Sequence, residues 1–313
     1  MNRKIYSIVL GVFAASAIFA QDDPPEPAPE PPQDATPAAP AAGGGGRGGG
    51  ANGPAQGPQP YDRVITKDAK TSKGVFTVHV VRDRYYYEIP KSELGKEFLW
   101  TSQIAKTGGG AGYPGMQVSD RQIRWELKGN RVLLLDIRVN TTADPTQPIA
   151  QAVNAANSDT IIQSFAVAAF SKDGDPVIEV TRLFTGDLQE FSARQALNAT
   201  GMDANRSFIE HVSPYPENVE AEVTITYTRG GAGAAGAAGG GRGPGRSFTV
   251  VLHHSMVKLP DTPMMARLAD RRVGYFSSSA TDYSHDEYRA ERIRVIDRWR
   301  LEKKDPNAAI PNR

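Results

Sequence analysis

The chain has 313 residues, with 36 basic and 35 acidic side chains, a formal net charge of +1, and no cysteine. This balance gives no support for nucleic-acid binding, which requires a concentrated basic field. The missing thiols exclude a disulfide framework and any thiolate-held metal, so the fold must rest on its core.

Residues 1–20 read as an export signal. Asn2-Arg3-Lys4 is a short basic stretch, Ile5 to Ala20 carries no charge, and small residues occur at Ala15-Ser16-Ala17. The apolar run falls short of the roughly 20 residues a membrane span needs, so no stable membrane anchor is expected. An exported protein, periplasmic or extracellular, is the expectation. Residues 21–60 alternate proline, alanine and glycine runs that cannot bury a core, and are expected to be a disordered tether.

Ordered sequence begins near Tyr61. Phe76, Val78 and Val80 alternate with Thr77, His79 and Val81, which predicts a strand continuing through Tyr85-Tyr86-Tyr87. A helical turn is expected between Lys91 and Glu97, then a short strand from Phe98. In "RQIRWELKGNRVLLLDIRV", Ile123, Trp125 and Leu127 share a face, Lys128-Gly129-Asn130 turns the chain, and Leu133, Leu135, Ile137 and Val139 return on one face. A short helix is expected from Ala150 to Asn157. A second hairpin turns at Asp173-Gly174. "GDLQEFSARQALNATG" predicts a helix capped by Asp187 and ended by Gly201. A third hairpin joins "AEVTITYTR" to "RSFTVVLHHSMVKL" through a Gly-rich loop at 230–245, expected to be disordered because long loops are cheap to close. "ERIRVIDRWRL", with Ile293, Val295 and Trp299, predicts a closing strand. The expected fold is mainly β: antiparallel hairpins forming a sandwich or a strongly curved sheet, with minor helices.

Catalytic patterns are weak. None of His79, His211, His253, His254 and His285 begins H-E-x-x-H. His253 and His254 are adjacent in a strand and must point to opposite faces. Asp282, His285, Asp286 and Glu287 form an acidic cluster suited to a hard cation, but Arg289, Arg292 and Arg294 can pair with it instead. Trp100, Tyr85 to Tyr87 and Tyr113 can stack a sugar or peptide, or simply pack a core. No catalytic, cofactor-binding or metal-binding residue is assigned.

Four stretches carry a family resemblance: "VIEVTRLF", "RSFIEHVSPYPENVEAE", "HHSMVKLPDTPMMARLADRRVGYFSSSATDYS" and "RWRLEKKDPNAA". Together they resemble, from about Tyr61 to Ala309, the non-catalytic N-terminal region of large bacterial secreted zinc-dependent metalloproteases. The resemblance implies a small segment at 61–108, a β-rich domain of unknown function at 109–300, and a linker at 301–313 leading toward a peptidase domain. That domain carries the H-E-x-x-H zinc site, which no position here matches. The chain is therefore expected to be truncated before the zinc site or to stand alone, to hold no cofactor, and to be inactive by itself. Zinc is expected only in the absent domain. The implied partner is that domain, in cis or as a separate chain. Pro260, Pro263 and Gly274 limit the backbone, and Met264 and Met265 offer adaptable apolar surface. Asp270, Arg271 and Arg272 can make charge-assisted bonds beside Tyr275. These six, Met264, Met265, Asp270, Arg271, Arg272 and Tyr275, are the candidate docking residues, unless the segment only turns a corner of the fold. The alternative function is a stand-alone cell-envelope module binding a glycan or peptide.

Overall fold

The computed structural model describes residues 57–108, 110–229, 246–284 and 290–298, with residue 307. The expected export signal, most of the tether, the Gly-rich loop, His285, Trp299 and nearly all of the terminal linker lie outside the described residues.

In chain order the elements are α1 (Tyr61–Val64), β1 (Lys70–Lys73), β2 (Thr77–Val81), β3 (Arg84–Glu88), β4 (Glu97–Thr107), β5 (Gln117–Lys128), β6 (Arg131–Asp136) and β7 (Thr141–Thr142). There follow α2 (Ile149–Ala156), β8 (Thr160–Phe170), β9 (Pro176–Glu179), α3 (Thr181–Thr185), β10 (Gly201–Met202) and β11 (Phe208–Pro214). The last four are β12 (Asn218–Arg229), β13 (Arg246–Lys258), β14 (Ser277–Asp282) and β15 (Glu291–Ile296). Twelve strands form one sheet, ordered β1-β2-β3-β9-β8-β6-β5-β4-β13-β12-β10, with β11 also paired to β12. A separate sheet of three strands runs β15-β14-β7.

Period-two alternation builds the interior. Phe98, Trp100, Ser102 and Ile104 point inward from β4, and Val219, Ala221, Val223, Ile225 and Tyr227 from β12, every one of them buried. Trp100 stacks on Phe191 with centroids 4.4 Å apart, and Phe76 meets Phe98 at 5.5 Å and Trp125 at 6.1 Å. Full burial of each such side chain contributes on the order of 1.5–3 kcal/mol. The sheet curves until its ends meet: the Val75 N–H donates to the Tyr215 carbonyl at 2.7 Å. Gly74 is required there, because a Cβ would lie 2.5 Å from the Tyr215 oxygen. The mainly β, strongly curved sheet expected from the sequence is thus what forms.

Four local expectations are corrected. The strand through Tyr85 to Tyr87 is two strands, because Val81 pairs with Arg84 across a tight turn in which Arg82 has φ 57. No glycine marks that turn. The strand from Phe98 is not short, since alternation persists for 11 residues. In the first hairpin Leu127 pairs with Val132 and Trp125 with Leu134, so Val132 and Leu134 reach the main core. Leu135 and Ile137 are buried outside that cluster. Turn length sets register, and one residue exchanges the faces. Finally, residues 187–200 form turns, not a helix. Asp187 has φ 50, and its buried carboxylate accepts from Tyr227 Oη (2.8 Å), Ser192 Oγ (2.5 Å) and the Arg194 guanidinium. Local side-chain bonds here outcompete helix formation.

Candidate functional site

The segment after β13 crosses to the small sheet without becoming a strand. It is tied down by backbone bonds: Ala269 N–H to Arg294 O (2.8 Å), Ile296 N–H to Arg267 O (2.9 Å) and Asp297 N–H to Phe276 O (2.9 Å). Pro260 and Pro263 remove two donors from it. Its apolar side chains stay outside. Met265 is 83% exposed, Leu268 70%, Val273 50%, Tyr275 56% and Phe276 70%. With Tyr283, six of the thirteen exposed large hydrophobic side chains among the described residues fall within 265–283, so the exposure is concentrated here and not scattered. A groove of about 600 Å³ is lined by Leu268, Val273, Tyr275 and Ile293 together with Asp270 and Arg271.

The candidate docking residues sort unevenly. Met265, Asp270, Arg271, Arg272 and Tyr275 are exposed, and Met264 is half-buried. Asp270 accepts from the Arg272 backbone N–H (3.0 Å) and pairs with its guanidinium (2.6 Å), which holds the Asp270 carboxyl below its ordinary range. This pair closes a local turn and is worth little in water. Arg271 is exposed on the wall of the groove. Leu268, Val273 and Phe276 belong to the same surface. Their only sequence signal is three apolar side chains among charged neighbours.

His79, His254 and the buried aromatic side chains serve the fold. His254 faces the core, with Nδ1 2.7 Å from Ser102 Oγ and accepting from Trp100 Nε1 at 3.4 Å. His253 faces outward, 2.8 Å from Glu220. The two rings point to opposite faces, as adjacency in a strand requires. His79 is buried between Thr71 Oγ1 (2.8 Å from Nδ1) and Glu88 Oε2 (2.9 Å from Nε2), and Tyr61 donates to Glu88 at 2.7 Å. Hydroxyl, imidazole and carboxylate in line resemble a nucleophile relay in outline. Here the line crosses three successive strands, β1, β2 and β3, and ends on α1, and Thr71 does not line the groove. Burial raises the Tyr61 phenol, with Glu88 adding to the shift. Trp100 and Tyr87 are core residues, so they form no stacking platform, and Tyr113 stands alone at 63% exposure. Among the described residues no group of three or more His, Asp or Glu side chains could hold a metal ion. Among them, too, no helix is long and apolar enough to cross a membrane.

No curated protein and no solved structure matches the chain. Two family models do. Residues 58–107 match a domain of unknown function, DUF5118. Residues 115–304 match a second domain of unknown function, DUF5117. The second match takes in more than half of the 313 residues, and the chain belongs to the DUF5117 family.

Proposed function

We propose that this chain is the non-catalytic scaffold of an exported, two-part protein, and that segment 261–283 docks a zinc-dependent peptidase domain in cis or on a separate chain. The observation that carries the reading is the concentration of Met265, Leu268, Val273, Tyr275 and Phe276 on one exposed, backbone-anchored segment. A surface of this kind gains stability when another protein covers it. The nature of the partner rests on the resemblance of "RWRLEKKDPNAA" and the preceding stretches to the region before such a peptidase domain. The sequence itself holds no H-E-x-x-H, so the scaffold is inactive alone. Export rests on Asn2-Arg3-Lys4 and the uncharged run to Ala20.

The test begins by reading the coding DNA beyond codon 313 and the neighbouring frames for an H-E-x-x-H domain, which is then expressed. Calorimetry should show a 1:1 complex with this chain, lost in the Leu268→Glu/Phe276→Glu variant while the circular dichroism is unchanged. Chelator-sensitive proteolysis by the chain alone, or no association with that domain, defeats the proposal.

A further inference from the structure

A larger cleft, of about 910 Å³, opens where β9 leaves the sheet. Strand β8 pairs with β6 along Thr160–Ala166, but with β9 only from Val167 to Phe170. After β9, Val180 bonds to the Tyr85 carbonyl and the chain turns into α3. Thr160–Ala166 therefore has a strand on one side and none on the other among the described residues. The Val167 N–H donates to Asn130 on the β6 side, so alternation turns the Ser164 N–H and C=O into the cleft. An uncovered strand edge is a template for another strand.

The walls supply charge. Arg63 comes from α1, Arg82 and Arg84 from the β2–β3 turn, and Arg182 from α3, against Asp68, Asp83 and Glu179. Arg84 lies 3.6 Å from Glu179. Arg63, Arg82 and Arg182 are exposed, and Arg82 lies near enough to Asp68 to help hold that carboxyl below its ordinary range. Arg131, on the neighbouring strand, donates to Ser164 Oγ at 2.7 Å and to its carbonyl at 3.3 Å, adding a fifth cation at the same edge.

We propose that this cleft binds an extended acidic peptide, which adds as a strand along Gln163–Ala166 with its carboxylates on the arginines. Backbone pairing supplies affinity and the arginine forks select acidic side chains. A nucleic acid fits poorly, because the strand edge offers backbone N–H and C=O groups that pair with a peptide backbone and no phosphate cradle. A second copy of the chain fits poorly too, because Thr160–Ala166 carries no acid to meet the arginines.

The probe is a fluorescein-labelled short peptide alternating threonine with glutamate, titrated into the full chain at low ionic strength. Saturable 1:1 binding is expected, with slowed hydrogen exchange at the Ser164 amide. A lysine-for-glutamate peptide should bind at least about tenfold more weakly, and Arg82→Glu/Arg182→Glu should cost a similar factor. A peptide N-methylated at alternate amides keeps every charge but cannot join a sheet, and should not bind. Equal binding of the methylated peptide, unchanged exchange at Ser164, or concentration-dependent self-association with no peptide bound would overturn the proposal.

Discussion

Asp187 organises the irregular turns that replace the expected helix, and its removal has a calculable cost. Its side chain is 2% exposed and takes three donors, from Tyr227, Ser192 and Arg194. In Asp187→Ala the Tyr227 hydroxyl keeps the Ala193 N–H at 3.2 Å and has the Ser192 hydroxyl beside it, so the two hydroxyls can satisfy one of their protons between them and the other has no acceptor. A buried donor left unsatisfied costs about 1–3 kcal/mol, and the lost Ser192 bond about 1 kcal/mol more. Arg194, 46% exposed, returns to water, so its loss adds less than about 1 kcal/mol. Alanine at φ 50 adds strain on the order of 1 kcal/mol that asparagine largely avoids. The expected total is about 3–5 kcal/mol for alanine, against about 1–2 kcal/mol for Asp187→Asn, which keeps an acceptor for Tyr227. Urea unfolding followed by tryptophan fluorescence measures both, since Trp100 stacks on Phe191 within this loop. Tyr227→Phe alone should cost about 1 kcal/mol, and the double variant less than the sum of the singles, because the two share one bond. An alanine variant as stable as the asparagine variant, or fully additive singles, would refute this account.

Three more outcomes follow from particular contacts. Gly74→Ala sets a Cβ against the Tyr215 backbone at the sheet closure, and should lower stability by about 1–3 kcal/mol and speed exchange at the Val75 amide; an unchanged melting temperature would contradict it. Burial, and then the neighbouring His253, pushes the His254 imidazole down to about 3. The unfolded ring protonates near about 6.5, so stability is whole above that pH and declines as pH falls toward about 3, by up to about 1.4 kcal/mol per unit. Urea midpoints across that window should fall more steeply for the wild type than for His254→Gln, and parallel curves would remove His254 from the explanation. Residues 109–313 expressed without the first 108 should fail to give a cooperative melt, because β4 is then missing from between β5 and β13.

The hairpins were legible because alternation and turn chemistry agree there: Gly129 (φ 58) and Gly174 (φ 79) sit where the sequence places turns. The Arg82 turn was not, since an arginine at φ 57 carries no signal of its own. Nor was the face of β6, which depends on one residue of turn length. The helix over 187–201 failed for a different reason: Asp187, which the sequence offers as its cap, meets Tyr227, 40 residues on, and that long-range bond decides the local conformation. The exposed apolar segment was half legible. Met265 and Tyr275 could be named from the sequence, whereas the exposure of Leu268 and Phe276 follows from backbone ties to β15 and its flank. The arginine cleft was not legible at all. Arg63, Arg82, Ser164 and Arg182 converge from four separated stretches, and what joins them is the early departure of β9.

The two family matches meet inside one sheet. Residues 58–107 end at the last residue of β4, and residues 115–304 begin just before β5. In the sheet this boundary is not an edge. β3 pairs with β9, and β4 lies between β5 and β13, so strands from the first match are hydrogen-bonded on both sides of the path to strands from the second. Removing β4 would expose the backbone edges of β5 and β13 and take Phe98, Trp100 and Ile104 out of the shared core. Backbone groups so exposed, with that much apolar surface returned to water, leave neither part a sheet it can close. The two regions are therefore one folding unit. The partner proposed for segment 261–283 would engage the whole sheet, because β13, which leads into that segment, is held in register by β4.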